Sequence, residues 1–207
     1  MAITFPLDLP TAGDVVNMTV RAGSTVGQSE SIFTKSRQTY VHQAEWWELD
    51  LEISPMFRAD GEEWAGFLAS LNGLEGTFLA GDAAGTVARG IATGTPLVKG
   101  ASQTGKTLLT DGWTASQTGI LLRGDWLQLG TGASAHLHKM AQDADSDVSG
   151  NATLEIWPRL RSSPADDAAI VVSSAKGLWR LPDNRRGWSI GGGGLYTVQF
   201  SAVEALA

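Results

Sequence analysis

The stretch Glu45-Trp-Trp-Glu-Leu-Asp-Leu-Glu-Ile-Ser54 decides the fold, because every second residue from Trp47 onward is apolar. Alternate side chains of an extended chain point to opposite faces, so one face here is apolar (Trp47, Leu49, Leu51, Ile53) and the other is acidic (Glu48, Asp50, Glu52). This pattern predicts a half-buried β-strand with an acidic outer face. Trp46 shares that outer face, and a large aromatic side chain there is a candidate interface residue.

One helix is expected shortly after this strand. Trp64, Phe67, Leu68 and Leu71 recur at the i, i+3, i+4 and i+7 spacing of a single apolar helical stripe. Asp60 is a suitable N-cap with a glutamate three residues later, and Asn72-Gly73 is a suitable stop. The sequence therefore predicts a helix over about residues 60–72.

The rest of the chain favours a mainly β sandwich or barrel. Short alternating apolar segments, such as Val16-Asn-Met-Thr-Val20 and Tyr196–Ala202, are separated by glycine-rich stretches, and glycine accounts for 25 of 207 residues. Residues 94–162 are richer in glycine, threonine, serine and glutamine. We interpret them as a small inserted β-module within a discontinuous domain formed by residues 1–93 and 163–207.

Composition excludes several function classes. The chain has 15 basic and 22 acidic residues, a net charge of −7, which argues against binding nucleic acid through bulk positive charge. It has no cysteine, so disulfide scaffolds, thiolate metal sites and cysteine nucleophiles are excluded. No apolar run is long enough for a membrane span and no secretory signal is visible, so we expect no membrane insertion.

A phosphate-binding loop pattern occurs at Gly100-Ala-Ser-Gln-Thr-Gly-Lys-Thr107. Such a loop needs a helix directly after it, because the amide groups at the helix N-terminus surround the phosphate. Thr107-Leu-Leu-Thr-Asp-Gly112 favours extended structure instead. We therefore predict that Lys106 is an exposed loop residue, and keep a nucleotide-dependent protein as an alternative.

Metal and catalytic motifs are incomplete. Asp143, Asp145 and Asp147 have the odd spacing of a calcium loop, but Val148 stands where the loop needs glycine, so a solvated acidic loop is expected. His136 and His138 share one strand face without an evident third ligand. Arg123-Gly-Asp125 is predicted to be a tight turn between two strands. We predict no catalytic residue, no metal site and no cofactor.

Several segments resemble one protein family. The Glu45–Glu52 strand, the Glu62–Leu71 helix and the Gly76-Thr-Phe-Leu79 strand resemble the strand–helix–strand core of tail-tube and distal tail proteins of long-tailed bacteriophages. Shorter downstream matches to distal tail proteins are Val98–Gly105, Asp111–Trp113, Leu122–Gly130, Gly150–Arg161 and Gly177–Leu181. The resemblance covers the chain from about residue 37 to the end, and the first 36 residues resemble nothing specific.

The resemblance implies a tail-tube-type β-barrel and a structural role in the virion. Such proteins form a ring, usually a hexamer, at the distal end of the phage tail after assembly in the host bacterial cytoplasm. The implied partners are copies of itself, the tail tube protein, tail tip or baseplate hub proteins and the tape measure protein, with DNA only in transit through the lumen. A tube subunit or hub component of similar fold is an alternative within the same class.

Two further hypotheses concern exposed side chains. Glu48, Asp50 and Glu52 are candidates to face the lumen, where negative charge would repel the DNA backbone; the alternative is an outer face in contact with solvent. An alternative function is a carbohydrate- or receptor-binding β-sandwich of the tail, in which exposed Trp113 or Trp126 would stack on the ligand.

Overall fold

The computed structural model describes residues 2–206. Its elements are β1 (Leu7–Asp8), β2 (Val15–Glu30), β3 (Arg37–Met56), α1 (Arg58–Ser70), β4 (Phe78–Ala80), β5 (Gly94–Val98), β6 (Gly105–Trp113), β7 (Trp126–Leu129), β8 (His136–Met140), β9 (Ala152–Leu160), β10 (Ile170–Val171), β11 (Gly177–Arg180), β12 (Ser189–Ile190) and β13 (Tyr196–Glu204). Within these residues α1 is the one α-helix, and no helix combines the length and apolar composition that crossing a bilayer requires.

The first sheet has the strand order β1-β4-β11-β13-β3-β2, and β12 pairs with β13. The β1–β4 pair is parallel, and the other neighbours are antiparallel. Past the end of the two-residue edge strand β1, the amide of Ala83, just after β4, donates to Sδ of Met18 in the opposite edge strand β2 at 3.4 Å. The sheet is therefore nearly closed, which confirms the predicted mainly β, barrel-like fold with one helix.

The core of this sheet follows the predicted alternation. The apolar face of β3 is at most 5% exposed, and the predicted helical stripe is buried against the same core. The predicted apolar face of β2 was wrong at one position. Val16 is 62% exposed, and Val15 packs against the core instead. A register shift between Val15 and Asn17 explains the difference, since one extra residue reverses the face that a side chain takes.

The helix starts earlier than predicted. Its N-cap is Phe57, which has no side-chain capping bond, and Asp60 lies in the first turn. Close packing on β13 positions this turn, because a Cβ on Gly61 would lie 2.3 Å from the ring of Tyr196. The start of the helix is therefore set by packing against a neighbouring strand and not by a side-chain cap. Residue spacing in the sequence does not reveal such packing.

The second sheet has the order β10-β7-β8-β9-β6-β5 and its own apolar core, in which Leu108, Leu127 and Leu154 are fully buried. It runs from Gly94 to Val171, so β10 lies beyond the predicted end of the inserted module at residue 162. The division into one discontinuous domain and one inserted module stays a prediction.

Trp47 joins the two sheets. Its ring meets Trp126 and Trp157 edge to face, with centroids 5.0 and 4.3 Å away. Its indole N–H donates to the carbonyl of Leu137 at 2.9 Å. Aromatic pairs in this geometry add attraction beyond the area they bury, so this contact helps to fix one sheet on the other.

Buried charges complete the junction between the sheets. The Arg161 guanidinium donates to the carboxylate of Glu204 at 2.5 Å and to the main-chain carbonyl of Glu45 at 2.6 Å. The Glu204 carboxylate also accepts the amide of Trp47 at 3.0 Å. Burial raises the pKa of Glu204, against the opposing effect of Arg161.

Candidate assembly surface

The hairpin of β2 and β3 extends well past the body of the protein. From residue 24 to residue 44 its side chains are exposed, apart from the partly covered Gly27 and Ser31. We call residues 24–44 the arm. Within residues 2–206, no strand pairs with the outer edge of β2, and β13 pairs with β3 only from Glu48 onward. The arm therefore has an unpaired backbone edge on each side.

The arm also carries apolar side chains into solvent. Val26 lies opposite Val41 in the ladder, and these side chains are 51% and 73% exposed. At the tip, Ile32 and Phe33 are 83% and 96% exposed. An exposed apolar face beside unpaired edges is a feature of surfaces that another chain covers.

Local hydrogen bonds hold the tip in one shape. The amide of Ser31 donates to the carbonyl of Ser36, and the amide of Lys35 donates to the carbonyl of Ser31, both at 2.9 Å. The carboxylate of Glu30 accepts from Lys35 at 3.0 Å and from Arg37 at 2.9 Å. The tip is thus an ordered turn.

A register shift marks the point where the arm leaves the body. Ser24 pairs with Glu45 and Val26 pairs with Val41, so β3 advances four residues while β2 advances two. Extra residues on one strand bend a hairpin and increase its twist. The direction of the arm is therefore set locally, in this short section.

The predicted acidic face is present on the outer side of β3. Glu48, Asp50 and Glu52 are half-buried on the side opposite the core. Asp50 accepts from Ser201 at 2.6 Å and pairs with Arg21 at 2.5 Å. The hydrogen bond from Ser201 and the Arg21 guanidinium hold the pKa of Asp50 below its ordinary value, against a burial effect. These four charged groups leave a net negative face, and its lumen-facing role stays a prediction.

Trp46 lies on this same face but is half-buried. Its ring covers Gly23, where a Cβ would lie 2.3 Å from it, and its indole N–H donates to Glu48 at 2.9 Å. This geometry orients the Glu48 carboxylate. The role of Trp46 as an interface residue stays a prediction.

Two predictions on tryptophan exposure were wrong. Trp113 and Trp126 are 4% and 5% exposed. The indole N–H of Trp113 donates to Thr110 at 2.8 Å, and that of Trp126 donates to Asp82 at 2.8 Å. Both rings pack into cores that distant strands complete, so neither can stack on a carbohydrate.

Lys106 is exposed as predicted, but the prediction that it lies in a loop was wrong. Lys106 lies in β6, and its ammonium group is 2.5 Å from the carboxylate of Glu45. Burial tends to raise the pKa of Glu45, but hydrogen bonds from Lys106 and from the amide of Arg159 keep it below its ordinary value. A strand in place of a helix removes the geometry that phosphate binding needs.

The histidine pair lines a small cleft of about 190 Å³ in the second sheet. His138 is 2% exposed, and its Nδ1 lies 2.8 Å from the carbonyl of Pro158. Burial lowers the pKa of His138 to about 4, against that hydrogen bond. Within residues 2–206, no group of three histidine, aspartate or glutamate side chains is arranged to hold a metal ion.

The remaining acidic motifs stabilise turns. Asp143, Asp145 and Asp147 accept the amides of Arg123, Gly119 and Ser149 at 2.6–2.7 Å. The tight turn at Arg123-Gly-Asp125 is confirmed, and buried Asp125 accepts three backbone amides that fix it. These carboxylates therefore stabilise the loops by accepting hydrogen bonds from backbone amides.

Comparisons with known proteins add no family: no protein-family model matches the chain, and no curated protein shows significant similarity to it.

The arm is the feature that sequence analysis missed. The available signal was the adjacent apolar pair Ile32-Phe33 inside a long polar stretch.

Proposed function

We propose that this protein is a structural subunit that assembles with copies of itself into a closed ring. The observation that carries the proposal is the arm, with an unpaired backbone edge on each side and apolar side chains in solvent. Unpaired strand edges are templates for pairing with another chain. An arm with two such edges allows head-to-tail contacts, which form a ring when the rotation between subunits closes.

The proposed setting is the distal end of a long-tailed phage tail, in the virion. The resemblance of the sequence to distal tail proteins supports it, as does the negative face of β3, which suits a channel through which DNA passes without adhering. In this proposal the ring, usually a hexamer in that class, connects the tail tube protein to hub proteins beside the tape measure protein. It performs no catalysis.

The test measures mass by light scattering and shape by negative-stain microscopy. We expect the wild-type chain to form rings with a central hole at high concentration. Val41→Lys places a charge on the apolar face of the arm and should leave monomers. Val148→Lys is the matched control, because Val148 is 84% exposed in a loop of the second sheet, and it should form rings.

Two results would contradict the proposal. One is a wild-type chain that remains monomeric up to its solubility limit. The other is ring formation by Val41→Lys at wild-type concentrations. Identifying which purified tail component caps the ring would then separate a distal ring from a tube subunit or a hub component.

A further inference from the structure

An apolar cleft lies at the seam where the first sheet nearly closes. It has a volume of about 260 Å³, and its apolar wall is formed by Leu9, Val15, Met18, Leu51 and Ala175. We call it the seam cleft. It opens between the start of β2 and the segment that follows β4, and several of its apolar side chains are half-exposed. An open apolar cleft of this size can accept one large side chain of a partner.

The arm of the same chain presents such a side chain. Phe33 is the most exposed large apolar side chain within residues 2–206, at 96%. The ordered turn of the tip fixes the backbone at Phe33, so docking costs mainly the rotamer freedom of its side chain. An exposed aromatic side chain and an open apolar cleft of about the size of one side chain are complementary in chemistry and size.

The charges around the two halves are complementary. Glu30, Lys35 and Arg37 give the tip a net charge of +1. Asp82 and Lys176 line the seam cleft and Asp8 pairs with Lys176, which gives these three residues a net charge of −1. Opposite charges at the rim favour this docking orientation and steer the encounter.

The tip cannot fill the cleft of its own chain. Val15 and Met18 line the cleft at the beginning of β2, whereas the tip follows Glu30 at its end. At about 3.3 Å per residue, the twelve residues from Met18 to Glu30 span up to about 40 Å, and the bend between Ser24 and Val26 does not return the tip to the start of the strand. A tip that reaches this cleft therefore has to come from another copy of the chain.

We propose that the tip of one copy, led by Phe33, inserts into the seam cleft of the next copy. This contact rests on the ring proposed above and specifies its interface. Because projection and cleft lie on different surfaces of one subunit, the contact is heterologous and adds copies in one direction.

The absence of cysteine from the chain allows a clean cross-linking test. Ile32→Cys and Ala83→Cys are made separately: Ile32 is 83% exposed beside Phe33, which stays in place, and Ala83 is exposed and lines the cleft. After mixing under mild oxidation, we expect a disulfide-linked dimer on a non-reducing gel, because a disulfide needs Cα atoms within about 7 Å. Ile32→Cys alone should not cross-link, and Val148→Cys mixed with Ala83→Cys is the matched negative control.

A second measurement uses the affinity of self-association. Phe33→Ala should weaken it by at least about tenfold, whereas Phe57→Ala, at an exposed site outside the arm, should leave it unchanged. Higher salt should weaken the wild-type contact as well.

The outcomes separate this contact from the ring itself. Rings that form without the cross-link between residues 32 and 83 overturn the tip contact and leave the ring proposal standing. Self-association of Phe33→Ala at wild-type affinity does the same. A chain that gives neither rings nor cross-links overturns both.

Discussion

The two halves of β3 have the same strand geometry but differ in burial and in the strands that pair with them. From Glu45 to Met56 the strand is covered by α1 and by the second sheet, and its inward side chains are buried. From Arg37 to Ala44 the same strand pairs only with β2 and is exposed on both faces. The comparison shows that a ladder can continue without a core. It also separates two roles: the junction between the sheets stabilises the fold, and the arm is available for contacts.

The largest expected effect comes from breaking the charged junction. Arg161→Met leaves the Glu204 carboxylate buried without its counter-charge and should lower the free energy of unfolding by about 3–5 kcal/mol. Urea denaturation measures this loss. The loss of unfolding free energy should become smaller as pH falls, because burial raises the pKa of Glu204 and a protonated carboxyl needs no counter-charge.

The matched control for that change is the double variant Arg161→Met with Glu204→Gln. It removes both charges while keeping an oxygen that can accept the amide of Trp47, so it should lose less stability than the single variant. A single variant with wild-type stability would show that the two sheets do not depend on this ion pair.

Acidification gives the next largest effect. The pKa of His138 is about 4 in the folded chain and about 6.5 in an unfolded one, so the unfolded chain binds the proton at higher pH. The contribution of neutral His138 to the free energy of unfolding is complete above about pH 6.5. It is lost as pH falls towards 4, by up to about 3 kcal/mol. His138→Asn, which does not titrate, should reduce the dependence measured by thermal unfolding.

The arm supplies the control for this pH dependence. His42 is exposed there, and His42→Asn should keep the wild-type profile between pH 4 and 7. A flattened profile in His42→Asn, or an unchanged one in His138→Asn, would contradict the assignment of the acid sensitivity to the second sheet.

The smallest expected change in the free energy of unfolding comes from making the same substitution in the core and in the arm, which compares the two regions directly. Val198→Thr places a hydroxyl in the core of the first sheet, where Val198 is fully buried, and should cost about 1–3 kcal/mol. Val41→Thr in the arm should change the free energy of unfolding by less than about 0.5 kcal/mol. Equal losses at both positions, measured by urea denaturation, would mean that the arm contributes to folding stability.

The alternation of β3 and the stripe of α1 could be predicted because each is a local pattern that one core enforces. The burial of Trp113 and Trp126 could not, since strands far along the chain cover them. The partner of Lys106 is Glu45, and nothing in the sequence brings these residues together. The arm escaped prediction because both of its faces meet water, so no alternation of apolar residues marks its strands.

The register shift between Ser24 and Val26 has a consequence for subunit number. In the proposed ring, the angle between arm and body fixes the rotation that relates one subunit to the next. A bend that differs by a few degrees would change how many copies close the circle, or turn it into an open spiral. The symmetry of an assembly of many chains would then be encoded in a two-residue irregularity within a single hairpin.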